Sequence, residues 1–205
     1  MGMLLILIVI AMVTGYVVAP RWWWRQSVMH APPRAVFGVW GAFAKQRGLR
    51  VASQGMRIES RMPFMHGQLH GCEVELSVVA GRGAGFDTRL WTRARRPLDV
   101  HVRLEARRAP ARSGLPPFET ADEFFDSAFR STADDAVKAG RLLEESVRAA
   151  LLAISGYPHI EIHYLRGETE ITWAGTEENP HALDHALAAG LALSHWHPVA
   201  GYRDA

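Results

Sequence analysis

Histidine is the residue type in this chain whose spacing most readily suggests chemistry. His181 and His185 are four residues apart, so on a helix their imidazoles share one face. His195 lies near the end of the same predicted helix. Imidazole nitrogens in this arrangement suit Zn²⁺ or another divalent cation. A metal site at these three residues is therefore one hypothesis, and the simpler alternative is that they are solvated or hydrogen-bonded.

A second set of polar residues is predicted to share one face of a β-sheet. Residues two apart in a strand point the same way, and several segments alternate polar with apolar residues. The simplest interpretation of this polar surface is a solvated sheet face. Its predicted members are Glu73, Glu75, His101, Arg103, His159, Glu161 and His163.

The remaining reactive residues do not form a recognisable site. The sequence contains no established catalytic, nucleotide-binding or nucleic-acid-binding motif, and we predict no catalytic residue and no cofactor. The glycine-rich segment 81–85 is not followed by Lys-Ser/Thr, so it is interpreted as a hairpin loop and not as a phosphate loop. Cys72 occupies an inward position of an alternating strand and is interpreted as a small core residue.

Charge is unevenly distributed along the chain. The net charge is only +2, from 23 Lys and Arg against 21 Asp and Glu. Residues 1–112 carry a large excess of Arg and Lys, however, and residues 113–205 carry an excess of acids. The basic half is expected either to face anionic lipid or to be neutralised by the acidic half within the fold. We do not expect a nucleic-acid partner.

The first twenty residues predict a transmembrane anchor. Met3 to Ala19 contains no charged residue, and seventeen helical residues span about 25 Å, the short end of what crosses a bilayer. No Lys or Arg precedes this segment, which disfavours a cleaved signal peptide. The predicted membrane-interface residues that follow are Arg21, Trp22, Trp23, Trp24 and Arg25.

Small residues recur every four positions within the predicted anchor. Ala11, Gly15 and Ala19 would form one stripe, which lets a neighbouring helix approach closely. The partners expected from this stripe are other membrane protein subunits, together with membrane lipid.

Hydrophobic periodicity defines the remaining elements. Residues 34–47 predict a helix that ends before Gly48 and lies either in the core or at the membrane interface. Residues 49–108 alternate with period two, typical of an antiparallel meander. Arg166-Gly167 predicts a hairpin turn. Helices are predicted over 131–155, N-capped by Ser131 or Thr132, and from Asn179-Pro180 to Pro198.

These elements predict an α+β protein, with an N-terminal transmembrane helix followed by an antiparallel sheet packed with two or three helices. The predicted divisions are an anchor at 1–20, an interfacial linker and helix at 21–48, and a soluble domain at 49–205. We expect a non-enzymatic accessory or scaffold subunit of a membrane protein assembly. A metal-binding module or metal-dependent enzyme is the alternative.

Three short motifs resemble a group of uncharacterised bacterial proteins anchored by a single transmembrane helix. The motifs are Gly48-Leu49, Phe125-Asp126 with Phe129, and the segment 147–152, within a resemblance that covers residues 35–195. This chain has Ala121-Asp122 where the group is expected to have Gly-Asp. The resemblance implies the same fold and membrane attachment, and no activity.

The charges flanking the anchor predict its orientation. Arg21 and Arg25 follow the span, and no cationic side chain precedes it. The protein is therefore expected in a bacterial inner membrane, with its N-terminus outside the cell membrane and its domain in the cytoplasm. A C-terminal fluorescent protein that folds only in the cytoplasm should therefore fluoresce. A C-terminal alkaline phosphatase fusion should be inactive, and an active phosphatase without fluorescence would reverse the predicted orientation.

Overall fold

An eight-stranded antiparallel sheet with helices against one face forms the frame of the protein. The computed structural model describes residues 34–51, 63–81, 85–95, 97–109 and 114–194. Within these residues the fold is α+β, as the sequence predicts, but it contains five helices instead of two or three.

The strands and helices have the following bounds in chain order. The strands are β1 (Arg50–Val51), β2 (Phe64–Leu69), β3 (Cys72–Ala80), β4 (Phe86–Arg93), β5 (His101–Ala106), β6 (Phe129–Ala133), β7 (Glu161–Leu165) and β8 (Glu168–Ala174). The helices are α1 (Arg34–Arg47), α2 (Glu123–Ala128), α3 (Ala136–Leu142), α4 (Glu145–Leu152) and α5 (Pro180–Ser194).

The strand order is β1-β2-β3-β4-β8-β7-β5-β6, and every neighbouring pair is antiparallel. The predicted meander is therefore correct from β1 to β4 and wrong at β5, because the β7–β8 hairpin lies between β4 and β5. Leu90 of β4 pairs with Ile171 of β8 and both are buried. Such apolar cross-strand pairs stabilise the inserted hairpin at this position.

The hairpin turn predicted at Arg166-Gly167 is confirmed. Both residues have positive φ, 49° and 89°, as the tight turn between two twisted strands requires. A Cβ on Gly167 would lie 2.4 Å from the Cβ of Pro97, so the close approach of the preceding loop also requires glycine.

Helix α1 packs into the core, which decides between the two locations that the sequence left open. Val36, Trp40 and Phe43 are buried against the sheet and α5. The helix ends at Arg47, before Gly48, as predicted. Phe37 on another side of the helix is 43% exposed.

The single helix predicted over 131–155 is wrong. Residues 129–133 form strand β6, with Ser131 and Thr132 paired to β5, and Asp135 caps α3 by accepting hydrogen bonds from two backbone N–H groups. A break at Leu143-Glu144 then separates α3 from α4. Val137, an apolar residue within the predicted helix, is 68% exposed.

Phe125 and Phe129, which belong to the family-resemblance motifs, pack against each other. The ring centroids of Phe125 and Phe129 are 5.1 Å apart in the core, whereas Phe124 is 74% exposed. Phe124 and Phe125 point in different directions because successive helical residues are about 100° apart.

Two of the three motifs behind the family resemblance, Phe125-Asp126 and the segment 147–152, meet around the start of α2. Asp122 caps the helix by accepting a 3.0 Å hydrogen bond from the Phe125 N–H, and it also accepts from Arg148 of α4 at 2.9 Å. The Phe125 N–H, followed by Arg148, holds the pKa of Asp122 below its usual value. Asp126 accepts hydrogen bonds from the backbone and side chain of Thr120. These motifs therefore have a structural role.

The predicted transmembrane segment, the small-residue stripe and the interface residues at 21–25 lie outside the described residues. Among the helices that are described, none has both the length and the hydropathy needed to span a bilayer.

Glu177 joins the helical layer to the sheet. Its backbone oxygen accepts from the Trp40 indole N–H at 2.8 Å, and its carboxylate accepts from the Trp173 indole at 3.2 Å. Its own N–H donates to the Thr88 hydroxyl at 3.0 Å, and its carboxylate also accepts from the Asn179 N–H at 2.9 Å, just before α5 begins. One residue thus satisfies polar groups from α1, β4, β8 and the start of α5.

Replacing Ala121 by glycine should stabilise the protein. Ala121 has a φ of 62°, a conformation that costs an L-residue about 1–2 kcal/mol. The extra unfolded-state entropy of glycine offsets roughly 0.5–1 kcal/mol of this gain. Ala121→Gly should therefore raise the midpoint of thermal unfolding of the full chain in mild detergent. Ala149→Gly, at an exposed position inside α4, is the matched control and should lower it.

Removing the Glu177 carboxylate should destabilise the fold. Glu177→Ala leaves the indole N–H of the buried Trp173 without its acceptor, which should cost about 1–3 kcal/mol in the free energy of unfolding. The exposed neighbour Glu178 provides the control, since Glu178→Ala should change stability by less than about 0.5 kcal/mol. Equal effects of the two variants would contradict the proposed role of Glu177.

Candidate functional site

The sheet face opposite the helices is polar and accessible in the described part of the chain. We call this surface the open face. All five helices contribute to one apolar cluster together with the inward strand residues. The open face includes His66 and Gln68 (β2), Glu73, Glu75 and Ser77 (β3), Arg89, Trp91 and Arg93 (β4), Glu168, Glu170 and Thr172 (β8), Glu161, His163 and Leu165 (β7), His101, Arg103 and Glu105 (β5), and Arg130 and Thr132 (β6).

The register places the predicted polar surface on the open face. Glu75, Trp91, Glu170, His163 and Arg103 follow one another across five adjacent strands as successive cross-strand partners. His159 precedes β7, in a turn with a φ of 54°, instead of lying on the strand as predicted. It nevertheless lines the same groove as His163.

Ion pairs of alternating sign cross the outer half of the open face. Arg89 of β4 donates to Glu75 of β3 at 2.9 Å and to the Ser77 hydroxyl at 3.2 Å. Arg93 of β4 pairs with Glu168 of β8 and lies 3.9 Å from Glu73 of β3. Two acidic strands therefore flank a basic one, and their charges largely compensate.

A more deeply buried charge cluster lies under the β5 and β6 end of the face. Glu105 is 2% exposed and lies 2.8 Å from the Nε of Arg103 and 3.7 Å from Arg130. Arg103 also lies 3.6 Å from Glu161. Removing one of these charges would leave its partner charge buried without compensation, which is energetically costly. The cluster therefore holds its side chains in place beside the adjacent groove.

Two grooves indent the open face. The Trp91 groove, of about 500 Å³, is lined by Gly48, Arg50, His66, Gly67, Gln68, Glu73, Val74, Glu75 and Trp91. The His163 groove, of about 620 Å³, is lined by Ala80, Asp87, Arg103, Ala109, His159, Glu161, His163, Glu170, Thr172, Trp173 and Ala174. Both volumes fall within the range of small-molecule sites.

The protonation of His163 is set by its surroundings. Burial is the main cause that lowers its pKa below 6.5, and the positive charge of Arg103 adds to it. Glu161, at 4.0 Å, and Glu170 oppose the shift, while His101 adds slightly to the lowering. The groove therefore presents a neutral imidazole that both donates and accepts hydrogen bonds at pH 7.

The structure does not assemble the predicted metal ligands from the residues it describes. His181 and His185 are exposed on α5, and Asp184 between them pairs with Arg47 of α1. No group of three or more His, Cys, Asp or Glu suited to a metal occurs in the described ranges. His195 lies outside them, so the metal hypothesis stays a prediction.

Cys72 is buried on β3, where its alternating position predicts it. Burial raises the pKa of its thiol, with a smaller opposing effect of Arg95. The thiol is thus protonated at neutral pH and packs as a core residue.

Sequence reasoning did not select Trp91, Glu170 or Asp87. Trp91 lies between Arg89 and Arg93 at period-two spacing, so the pattern does place all three on one face. That signal identifies a face of a strand, but the grooves depend on which strands lie beside β4.

Comparisons with known proteins give a structural similarity. No protein-family profile matches the chain, and no curated protein matches it significantly. The crystal structure of the mycobacterial trehalose monomycolate transport factor A, TtfA, is similar with a TM-score of 0.58 and 12% sequence identity. The similarity covers 81% of this chain and 98% of that one. At this identity the comparison establishes a shared fold.

The lowered pKa of His163 predicts a pH dependence of stability. Below pH 6.5 the unfolded chain takes up a proton at this residue that the folded protein does not, so the free energy of unfolding should fall as the pH decreases toward the lowered pKa. His163→Gln should remove this part of the decrease. His181→Gln, at an exposed histidine, should leave the wild-type curve unchanged. A His163→Gln curve parallel to wild type would contradict the assignment.

Proposed function

We propose that this protein is a non-enzymatic accessory subunit of a membrane transport assembly. The observation that carries the proposal is the fold it shares with a transport factor over nearly the whole of that protein. The similarity is compatible with such a role. The two-layer architecture adds a physical reason, because a sheet with helices on one side presents the other side to partners.

The proposed attachment is a single N-terminal helix over residues 1–20 in a bacterial cytoplasmic membrane, with the domain on the cytoplasmic side. Helix α1 begins at Arg34, so about a dozen residues separate the predicted span from the folded domain. Such a short connection would keep the open face close to membrane-embedded partners. Ala11, Gly15 and Ala19 would pack against a partner helix.

The charges of the open face favour a polar protein interface at this surface. Arg93 is exposed beside Glu73 and Glu168, so a partner can compete for it without breaking the core. Exposed interfacial charges mainly govern specificity and the rate of association. Reversing such a charge is therefore expected to weaken a partner contact more than it weakens folding.

Purification of the full chain from its native membrane in mild detergent tests the proposal. We expect a membrane protein to co-purify in fixed stoichiometry. Gly15→Leu and Arg93→Glu should each lower the amount of this partner that co-purifies. Bulky side chains in the small-residue stripe prevent close helix approach, and the reversed charge opposes the interface. Recovery of this chain alone would contradict the accessory role.

Matched control variants distinguish a specific loss of the co-purifying partner from general destabilisation of the protein. Val17→Leu enlarges the predicted span away from the stripe, and Arg141→Glu reverses an exposed charge on α3, on the helical side of the domain. Both variants should retain the partner. Equal loss in the controls would show that the association does not use these surfaces.

A further inference from the structure

The Trp91 groove has a composition suited to a particular class of ligand. It combines one half-buried indole with side chains that offer both donors and acceptors. The polar members that surround Trp91 are Arg50, His66, Gln68, Glu73 and Glu75. A small number of oriented polar groups around an aromatic surface is typical of small-molecule sites.

The two carboxylates of the groove can accept hydrogen bonds, and a cationic side chain lies beside each of them. Glu75 is paired with Arg89 at 2.9 Å, and Glu73 lies 3.9 Å from Arg93, which is also paired with Glu168. A carboxylate has about four acceptor positions, so one ion pair leaves several available. A cationic ligand would meet these arginines and Arg50, and an anionic ligand would meet the carboxylates. The arrangement therefore favours an uncharged ligand with many hydroxyl groups.

Trp91 adds an apolar contact surface to these polar groups. The guanidinium carbon of Arg93 lies 5.6 Å from the centroid of the Trp91 ring, so the protein itself supplies the cation that this ring attracts. The remaining indole surface is best covered by C–H groups.

Gly67 lets the segment after α1 pack closely against β2 at the edge of the groove. A Cβ at this position would lie 2.8 Å from the Cδ2 of Leu49, on the side of the sheet that the helices cover, because Gly67 pairs with the buried Val74. This close packing places Gly48 and Arg50 beside β2, where they line the same groove.

From these features we infer that the Trp91 groove binds a neutral carbohydrate. A sugar ring has C–H groups on its faces and hydroxyls around its edge, which match the indole and the surrounding carboxylate, amide and guanidinium groups. The sugar is either free or the headgroup of a glycolipid, since both present the same chemistry. The inference does not depend on the proposed accessory role, because it rests on the groove alone.

Saturation-transfer NMR on the full chain in phosphatidylcholine nanodiscs tests this inference. Nanodiscs are preferred because many mild detergents have sugar headgroups that would compete. The free probes are trehalose, maltose and lactose, with glucose 6-phosphate as the charged comparison. In a second arm, part of the phosphatidylcholine is replaced by monoglucosyl diacylglycerol, and a loss of the free-sugar signal would identify the lipid headgroup as the preferred source.

We expect saturation transfer to C–H protons on one face of a sugar ring and affinity about tenfold weaker in Trp91→Leu. Trp91→Phe should retain part of the affinity, and Leu165→Ala, on the open face outside the groove, should retain all of it. Absence of transfer to every neutral sugar in both arms would overturn the inference. So would unchanged binding in a folded Trp91→Leu protein, or binding of the sugar phosphate alone.

Discussion

The attachment of the helical layer to the sheet through Glu177 is the constraint on which the other features depend. The Trp40 and Trp173 indole N–H groups and the backbone N–H groups of Glu177 and Asn179 all form hydrogen bonds here. The bond from Asn179 is exposed, and the other three are partly buried. Burial and the charge of Glu177 also raise the pKa of Tyr157 to about 12, so its hydroxyl stays a donor to the Ala182 carbonyl at 2.8 Å. Since buried donors without acceptors are costly, these bonds specify where α1 and α5 lie.

Placing every described helix on one side determines the chemistry of the other side. An antiparallel sheet with one covered face needs polar residues on its exposed face, and cross-strand neighbours of opposite charge stabilise each other. The open face satisfies this requirement with charge rows on β3, β4 and β8 and with a buried cluster around Glu105. Because opposite charges on this face largely compensate, its side chains can still form hydrogen bonds but produce little net electrostatic field. Both grooves are therefore lined by polar groups with little net charge.

Much of the fold follows from local sequence patterns. Alternation identified β2 to β4 and the β7–β8 hairpin, and helical spacing with a terminal glycine identified α1. Strand β6 was missed because it is short and its residues Ser131 and Thr132 are also good helix caps, so the tertiary pairing with β5 decided the outcome. Because side chains two positions apart in a strand lie on the same face, the sequence predicted that Glu75, His163 and Arg103 share a face. The grooves could not be predicted in this way, because each is lined by residues from strands that are distant in sequence.

The insertion of β7–β8 between β4 and β5 has a consequence for the order in which the protein forms. The first four strands can pair soon after they emerge from the ribosome, but β5 keeps an unpaired edge until β7 ends at residue 165, and β4 keeps one until β8 ends at residue 174. Non-local pairing of this kind slows folding and exposes strand edges in the meantime. A chain interrupted between β6 and the last hairpin therefore leaves one edge of β4 and one edge of β5 unpaired and able to pair with another chain. Such a chain is held at a membrane if the predicted anchor inserts first.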